Sequence, residues 1–274
     1  MNPGKIHPTA IIGRHAEIDT SVEIGPYAIV EDGVVISKNV KIYARAYISD
    51  GTEIGEGTEV HMGAVLGHLP QDLAFEGKKT YLKIGKKTII REYVTIHRGT
   101  KEGTTTEIGN ENFLMALSHV GHNSVLGDKV ILANGVLLGG YVNVEDQVFI
   151  SGNVVVHQFC KIGTLAMIGG FSGVNKDVPP YMAVRGPSVV WSINLIGLRR
   201  AGFKHNVIKE IKDAFKLIYK SGLNTKQAID EILKKKPGEE VKYLVEFIKK
   251  SKRGICKYRW ASDDKEFFEQ EKGG

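Results

Sequence analysis

Residues 23–48 read EIGPYAIVEDGVVISKNVKIYARAYI, a stretch in which every sixth residue is aliphatic, at Ile24, Val30, Ile36, Ile42 and Ile48. We call these residues, and their equivalents elsewhere, the anchors. The same spacing starts at residue 6, continues to residue 66, resumes over residues 84–96 and runs again from 108 to 174. A six-residue repeat is typical of a parallel β-helix, since each short strand turns one aliphatic side chain inward and stacked coils bury the column. An α-helix does not fit, because six matches neither 3.6 nor seven.

Two features beside the anchors predict tight turns. Four residues after an anchor the side chain is small or β-branched, as at Ala28 and Val34, which suits a cramped interior corner. A glycine directly follows many anchors, as at Gly25, Gly85 and Gly109. Because glycine tolerates both positive φ and close backbone approach, we expect these glycines to form the turns between strands.

Two polar segments interrupt the repeat without changing its phase, at residues 71–83 and 102–107. An insertion in a repeat array must loop outward, where it can build a binding face. We therefore expect substrate contacts in these two loops.

The repeat ends near residue 187, and a helical spacing replaces it. Apolar residues then recur at the period of an amphipathic helix, Asn224 is placed as a helix N-cap, and Pro237 opens a further helical pattern. The sequence thus predicts a mainly β protein with a β-helix over residues 1–190 and a small α-helical domain over 191–274. The charged segment 263–274 is expected to fray.

Charge is unevenly distributed along the chain. The net charge is +6, but residues 191–274 hold 20 basic and 12 acidic residues, a net +8, and residues 1–190 carry −2. A basic face favours an acidic partner, whether nucleic acid, membrane surface or acidic protein, although a solvated helix surface gives the same composition.

The composition also bears on cellular location. No apolar run is long enough to cross a membrane, and the first residues lack the apolar block of a signal peptide. Cys160 and Cys256 are the only cysteines, too few for a disulfide framework, so we expect two buried thiols in a reducing cytoplasm.

Histidines supply the clearest candidates for chemistry. His97, His119, His122 and His157 lie within the repeat, and His119 and His122 share one turn of it. A neutral imidazole can take a proton from an alcohol, although most histidines in folded proteins are only hydrogen-bonded. Two histidines on one turn could also bind zinc, but no established zinc motif accompanies them.

Four ordered segments together resemble the UDP-N-acetylglucosamine acyltransferases of lipid A biosynthesis. They are IHRGT at 96–100, the run 114–127 with HVGH at 119–122, VHQFC at 156–160 and DVPPY at 177–181. The similarity covers nearly the whole chain and includes Asn194 and GLRR at 197–200. Single hexapeptides are common to many transferases, whereas the ordered set is specific.

The resemblance implies a left-handed parallel β-helix that forms a homotrimer, with active sites in the clefts between subunits. Its members move an (R)-3-hydroxyacyl chain from the 4′-phosphopantetheine thioester of acyl carrier protein to the 3-position of the UDP-sugar, the first step of lipid A and lipopolysaccharide synthesis. It implies no metal or other cofactor, no nucleic acid partner and no stable membrane insertion. The carrier protein would be the acidic partner of the basic C-terminal region.

The resemblance also assigns roles to individual residues. His122 corresponds to the catalytic base, the Gly140 N–H to the oxyanion donor, and Asn123 to the residue that orients the base. Gly170 lies where the family measures acyl length, and a glycine there implies a long chain. The contacts to sugar, acyl chain and phosphates correspond to Gln71, Asp72, His97, His119, His157 and Gln158, and those to nucleotide or phosphopantetheine correspond to Asn194 and Arg200.

Three positions depart from the common pattern of the family. Asn123 replaces an aspartate, Tyr141 at the substrate end replaces a histidine, and Ala74 replaces a lysine. An amide can orient an imidazole but contributes no charge. Some members acylate a 3-amino sugar, and an amine is the better nucleophile, so a weaker base could suffice. The acceptor is therefore either the 3-hydroxyl or a 3-amino group.

Three alternatives remain open at this point. A trimeric β-helix carbonic anhydrase would use His97, His119 and His122 as zinc ligands. An acetyl-coenzyme A-dependent sugar acetyltransferase shares the repeat. A non-catalytic scaffold would use the repeat only to present a surface.

Overall fold

The computed structural model of the protein describes residues 6–258. Residues 1–5 and 259–274, including the segment 263–274 for which we predict fraying, lie outside the described residues.

Short strands of two to four residues follow one another along the repeat. In chain order they are Ile11–Ile12 (β1), Glu17–Ile18 (β2), Glu23–Ile24 (β3), Ile29–Val30 (β4), Val35–Ile36 (β5), Lys41–Ile42 (β6), Tyr47–Ile48 (β7), Thr52–Ile54 (β8), Glu59–Val60 (β9), Val65–His68 (β10), Tyr81–Ile84 (β11), Ile89–Ile90 (β12), Thr95–His97 (β13), Thr105–Ile108 (β14), Phe113–Leu114 (β15), His119–Val120 (β16), Val125–Leu126 (β17), Ile131–Leu132 (β18), Leu137–Leu138 (β19), Asn143–Val144 (β20), Phe149–Ile150 (β21), Val155–Val156 (β22), Lys161–Ile162 (β23), Met167–Ile168 (β24) and Gly173–Val174 (β25).

Every third strand joins the same sheet, which produces a three-sided left-handed parallel β-helix. Sheet I contains β1, β4 and so on to β25, sheet II runs from β2 to β23, and sheet III from β3 to β24. The pairing within sheets is parallel, and residue n generally faces residue n + 18, as in Phe113 with Ile131. One coil is therefore three hexapeptides, and the predicted mainly β solenoid is confirmed.

The anchors form the core. Ile48, Leu66, Leu114 and Leu138 are fully buried, together with the small corner residue Ala28. Burial of aliphatic area at every coil is the main stabilising term of such a stack. Only the first anchors are partly exposed, because no coil covers them from below.

The turn prediction was half right. A positive φ occurs at the third residue after an anchor, as at Asn123 and Tyr141 (both 58°), and at most glycines directly after an anchor φ is not positive. At Gly85 the reason for glycine is space, since a Cβ there would lie less than 3.0 Å from the carbonyl of Gly109 in the next coil. Close backbone approach between coils is thus what these glycines provide.

The two loops begin and end earlier than expected. They cover residues 69–80 and 98–104, because residues 82–84 pair with β8 and β14 pairs with β11. The expected limits of 71–83 and 102–107 therefore included parts of strands. Both loops connect sheet I to sheet II, so they leave the β-helix at the same corner.

The expected boundary at residue 190 falls inside a strand. Met182–Arg185 (β26) and Val189–Ile193 (β27) form an antiparallel hairpin that extends sheet III. Four helices follow, and Lys257–Tyr258 (β28) then returns to pair with β27, so the C-terminal region is not purely helical. The helices are Leu195–Arg200 (α1), His205–Lys220 (α2), Thr225–Lys234 (α3) and Glu239–Lys250 (α4). None of the helices among residues 6–258 is both long and apolar enough to span a membrane.

Polar contacts attach the C-terminal region to the last coils. Asp177 is buried, and its carboxylate accepts from the Lys161 N–H at 2.8 Å and from the Ser251 hydroxyl at 2.6 Å. On α4, Tyr243 hydrogen-bonds Glu145. At the start of α3, Asn224 caps the helix by accepting from the Gln227 N–H, as predicted.

Candidate active site

The candidate site lies along the corner where sheet I passes into sheet II, which we call the I/II corner. His122 and Asn123 follow β16, Gly140 and Tyr141 follow β19, and Gln158 follows β22. Because consecutive coils are 18 residues apart, these turns stack directly on one another. The loops 69–80 and 98–104 leave the two preceding coils at the same corner, so both face the site.

His122 is held from its Nδ1 side. Its Nδ1 lies 3.0 Å from Oδ1 of Asn123, and only 12% of the imidazole is exposed. The same Oδ1 accepts from the peptide N–H of Thr100 at 3.0 Å and from the Thr100 hydroxyl at 2.9 Å. Two donors of Thr100 and Nδ1 of His122 thus converge on one amide oxygen, and the loop 98–104 is attached to the turn that carries His122.

The loop 69–80 approaches the other side of the histidines. Oδ2 of Asp72 lies 3.7 Å from Nε2 of His122, too far for a hydrogen bond but close enough for charge interaction. The peptide N–H of Gln71 donates to Nδ1 of His97 at 3.4 Å. Ala74 donates its peptide N–H to Oδ1 of Asp72 at 3.0 Å, which steadies the carboxylate.

His97 and His119 form an edge-to-face pair with ring centroids 4.8 Å apart. Burial lowers the pKa of His97 to about 4, with His119, His68 and His122 adding repulsion. Burial also lowers the pKa of His119, whose Nδ1 lies 2.7 Å from the hydroxyl of Thr95. Both rings are therefore neutral near pH 7 and can serve as hydrogen-bond partners for an uncharged polar group.

Gly140 is the position where the site leaves no room for a side chain. A Cβ there would lie less than 3.0 Å from Nε2 and Cε1 of His122. The peptide N–H of Gly140 has no hydrogen-bond acceptor among residues 6–258, whereas the equivalent N–H of Asp50 on the same corner donates to Glu31. A free N–H beside the imidazole is suited to receive a negatively charged oxygen.

Tyr141 forms an aromatic wall beside the histidine. Its ring stacks on Phe159 with centroids 5.0 Å apart and meets His122 edge-on at 5.4 Å. The Tyr141 hydroxyl lies 3.3 Å from the Thr100 hydroxyl.

Arg253, from the C-terminal segment, contacts the last two turns of the corner. Its guanidinium donates to the carbonyls of Gln158 (3.1 Å) and Asn175 (3.2 Å) and lies 3.3 Å from Nδ1 of His157. Sequence reasoning missed both Arg253 and Thr100. Thr100 stands inside the IHRGT segment, but nothing in the spacing pairs it with Asn123, and Arg253 has no sequence signal.

Three expected site residues lie elsewhere in the chain. Gly170 follows β24 at the corner between sheets III and I. Asn194 caps α1, where its amide accepts from the Gly197 N–H at 3.0 Å and donates to the carbonyl of Leu165 at 2.8 Å. Arg200 is exposed at the end of α1. Within one chain the fold does not bring these three residues to His122.

The described part of the chain, residues 6–258, holds no group of three or more His, Cys, Asp or Glu side chains arranged to bind a metal. Both cysteines are buried, and burial raises the pKa of Cys160 to about 11 and that of Cys256 to about 12. Neither thiol is poised as a nucleophile.

Two protein families match parts of the chain. Residues 177–256 match the family described as UDP-N-acetylglucosamine O-acyltransferase, domain 2. Residues 33–68 and 105–140 match the bacterial transferase hexapeptide family of six repeats. These segments correspond to the C-terminal region with its hairpin and to the β-helix.

Relatives match over most of the chain or nearly all of it. The acyl-(acyl-carrier-protein)–UDP-N-acetylglucosamine O-acyltransferase of Thermodesulfovibrio yellowstonii is 44% identical over 92% of this chain and 99% of that protein. That of Gloeothece citriformis is 48% identical over 70% of each. The crystal structure of the UDP-N-acetylglucosamine acyltransferase from Bacteroides fragilis superimposes with a TM-score of 0.89 at 42% identity, covering 91% of this chain and 99% of that one. The chain belongs to the acyl-(acyl-carrier-protein)–UDP-N-acetylglucosamine O-acyltransferase family.

Proposed function

We propose that this protein transfers an (R)-3-hydroxyacyl chain from the phosphopantetheine thioester of acyl carrier protein to the 3-position of UDP-N-acetylglucosamine, the first step of lipid A biosynthesis. Family membership supports the reaction. The observation that carries the mechanism is the imidazole of His122, oriented by Asn123 and placed beside the free N–H of Gly140.

In this mechanism Nε2 of His122 removes the proton of the 3-hydroxyl as the oxygen attacks the thioester carbonyl. The C–O bond forms, and the carbonyl oxygen becomes an oxyanion that accepts from the Gly140 N–H. Such a donor contributes about 3–4 kcal/mol to transition-state stabilisation. When the intermediate collapses, the C–S bond breaks and the His122 imidazolium returns its proton to the leaving sulfur.

Asp72 supplies the charge that Asn123 lacks. A carboxylate 3.7 Å from Nε2 favours the imidazolium that forms during the reaction, although a neutral amide occupies the Nδ1 side. His97 and His119, both neutral, would hydrogen-bond the sugar, and Tyr141, His157 and Gln158 would complete its surroundings along the same corner.

The separation of the other expected residues supports a homotrimer. Gly170, Asn194 and Arg200 lie away from the I/II corner that carries His122. A neighbouring chain would bring them into its cleft, with Asn194 and Arg200 near the nucleotide or phosphopantetheine. The basic C-terminal region offers a complementary surface for an acidic carrier protein. Two unpaired buried thiols agree with a cytoplasmic enzyme.

Gly170 would set the acyl length. A Cβ at this position would lie 3.3 Å from the Gly152 carbonyl, so the turn is already tight. A glycine keeps the groove open at this depth and favours a long hydroxyacyl chain.

The 3-amino sugar is the second candidate acceptor, and Asn123 is the observation that favours it. An amine needs less help from a base than a hydroxyl does, so the loss of the family's aspartate would be tolerated more easily.

The decisive assay offers (R)-3-hydroxyacyl carrier protein of several chain lengths with UDP-N-acetylglucosamine or its 3-amino analogue, and mass spectrometry identifies the product. We expect His122→Ala to lower kcat by about 10²–10⁴ because general-base catalysis is lost. His15→Ala, an exposed histidine on the first coil, should retain wild-type activity. Absence of product from wild type with both sugars would reject the transferase and direct attention to zinc binding and carbon dioxide hydration.

A further inference from the structure

We infer that Thr100, on the loop 98–104, is a positioning residue that fixes the ring tautomer of His122 by locking the side-chain amide of Asn123. The inference rests on the proposed role of His122 as the base. It assigns a function to a loop residue that touches neither the reacting atoms nor the imidazole.

Two donors of Thr100 set the orientation of the Asn123 amide. The peptide N–H of Thr100 can only donate, and it lies 3.0 Å from Oδ1 of Asn123. A reversed amide would place its NH₂ group against this N–H, which would leave two buried donors facing each other. The Thr100 hydroxyl, 2.9 Å from the same oxygen, adds a second donor, and Thr100 is itself buried.

The tautomer of His122 follows from the amide. Oδ1 carries no proton, so Nδ1 of His122, 3.0 Å away, must be the protonated nitrogen. Nε2 then holds the lone pair and faces the space between Asp72 and Gly140. This is the nitrogen that accepts the substrate proton.

The Asn123 amide must be held in one orientation because one end is an acceptor oxygen and the other a donor NH₂ group. A carboxylate would accept through either oxygen, so rotation by 180° would change nothing. Rotation of the Asn123 amide would instead present NH₂ to Nδ1, and the neutral imidazole would then carry its proton on Nε2. Such a ring cannot accept a proton from the substrate at Nε2. Thr100 thus keeps an acceptor oxygen facing Nδ1 of His122, which a carboxylate would provide in either orientation.

Tyr141 extends the same chain of hydrogen bonds. Because the hydroxyl proton of Thr100 points to Asn123, the Tyr141 hydroxyl at 3.3 Å must donate to the Thr100 oxygen. The direction of every bond from Tyr141 to His122 is therefore determined. Tyr141 acts here through Thr100, in addition to its ring contact with His122.

A double-mutant cycle tests the inference. Thr100→Val is made in wild type and in Asn123→Asp, and kcat and KM for the UDP-sugar are measured in the assay above. Thr100→Val removes the hydroxyl donor and keeps the peptide N–H, so it weakens the preference for this amide orientation without abolishing it. In wild type we expect kcat to fall roughly threefold with little change in KM, because the wrong tautomer then becomes a major form. In Asn123→Asp the same substitution should cost less than about twofold, since both carboxylate oxygens accept.

Two control variants distinguish an effect on the orientation of the Asn123 amide from a general loss of stability of the loop 98–104. Thr104→Val removes two hydrogen bonds with the Lys101 backbone within the same loop and leaves Asn123 untouched, so it should change kcat equally in both backgrounds. Thr100→Ser keeps the hydroxyl and should restore activity. The imidazole ¹⁵N shifts of His122, assigned by comparison with His122→Ala, should report Nδ1–H in wild type and a mixture in Thr100→Val.

If Thr100→Val lowers kcat equally in wild type and in Asn123→Asp, or if the wild-type His122 ring carries its proton on Nε2, the inference is wrong. Neither result would contradict the proposed acyl transfer. The ¹⁵N measurement needs no turnover, so it determines the tautomer of His122 independently of activity. Absence of product from wild type would reject the proposed function and would leave this tautomer measurement valid. Tyr141→Phe gives a second variant for the cycle, and its cost should also shrink in Asn123→Asp.

Discussion

Single residues of the I/II corner both close the turn of their coil and present a side chain to the candidate site. Asn123 and Tyr141 occupy the left-handed turn position of their hexapeptides, each with φ of 58°. Asparagine adopts this conformation readily, whereas tyrosine pays a conformational cost. Both side chains leave the turn pointing away from the core and meet the loop 98–104. The conformation that closes each coil therefore also presents side chains to the site.

Gly140→Ala tests the crowding beside His122. The added Cβ would lie less than 3.0 Å from the imidazole, so the ring must move away from its position beside the N–H. We expect kcat to fall by about 10²-fold, because a small misplacement of a catalytic group is expensive. Thermal unfolding of the variant is the accompanying measurement.

Gly173→Ala is the matched control for that variant. A Cβ at Gly173 meets no atom within 4 Å, and its φ is not in the left-handed region. Both variants should unfold within a few degrees of wild type, and only Gly140→Ala should lose activity. A fully active Gly140→Ala enzyme would remove Gly140 from the mechanism.

At the level of elements, the C-terminal segment after α4 is tied both to the β-helix and to the site. Asp177 holds Ser251, and Arg253 reaches the turn with His157 and Gln158. Residues 251–258 therefore act as a brace across the last coils. The contacts of Ser251 and Arg253 are polar and local, so this end of the segment can be loosened without unfolding the solenoid, whereas Cys256 is buried and β28 stays paired with β27.

Asp177→Ala is expected to release this brace. The Lys161 N–H and the Ser251 hydroxyl would lose their acceptor in a buried place, at a cost of about 2–4 kcal/mol. Hydrogen exchange should show faster exchange at residues 251–256 with the coils around β15 unchanged. Asp213→Ala, which breaks an exposed ion pair with Lys216, should leave exchange there unaltered. Uniformly faster exchange would show that Asp177 supports the whole fold instead.

The β-helix is a three-cornered prism, and the residues that we propose for the site are divided among its corners. His122 and the two loops occupy the I/II corner, and Gly170 lies on the III/I corner. Corners of one rigid solenoid cannot approach one another. A site that uses both therefore requires a second copy of the chain.

Subunit mixing tests this arrangement. His122→Ala lacks the base, and Gly170→Met should close the groove to long chains, so neither variant alone should transfer a long hydroxyacyl group. If the two residues come from different chains, co-expressed subunits should regain long-chain activity at roughly a quarter of the interfaces. No recovery in verified mixed trimers would place both residues in a site within one chain.

Much of the fold could be predicted from the sequence because a solenoid is built from local repeats. The six-residue spacing of the anchors specifies inward side chains, the coil length and the parallel stacking, and each coil contacts only its neighbours. The Asn224 cap was equally local. The end of the first loop was misplaced because residues 82–84 pair with β8, a long-range contact that the six-residue spacing does not encode.

The sequence by itself determined the β-helix, its anchors and, through family resemblance, the histidines of the site. Only the tertiary structure decided which of those residues meet. It stacked His122, Asn123, Gly140 and Tyr141 at one corner and placed Thr100 on the amide of Asn123. The physical reason is that a period fixes which side chains point inward. The partners of a loop residue depend on contacts between segments that share no period.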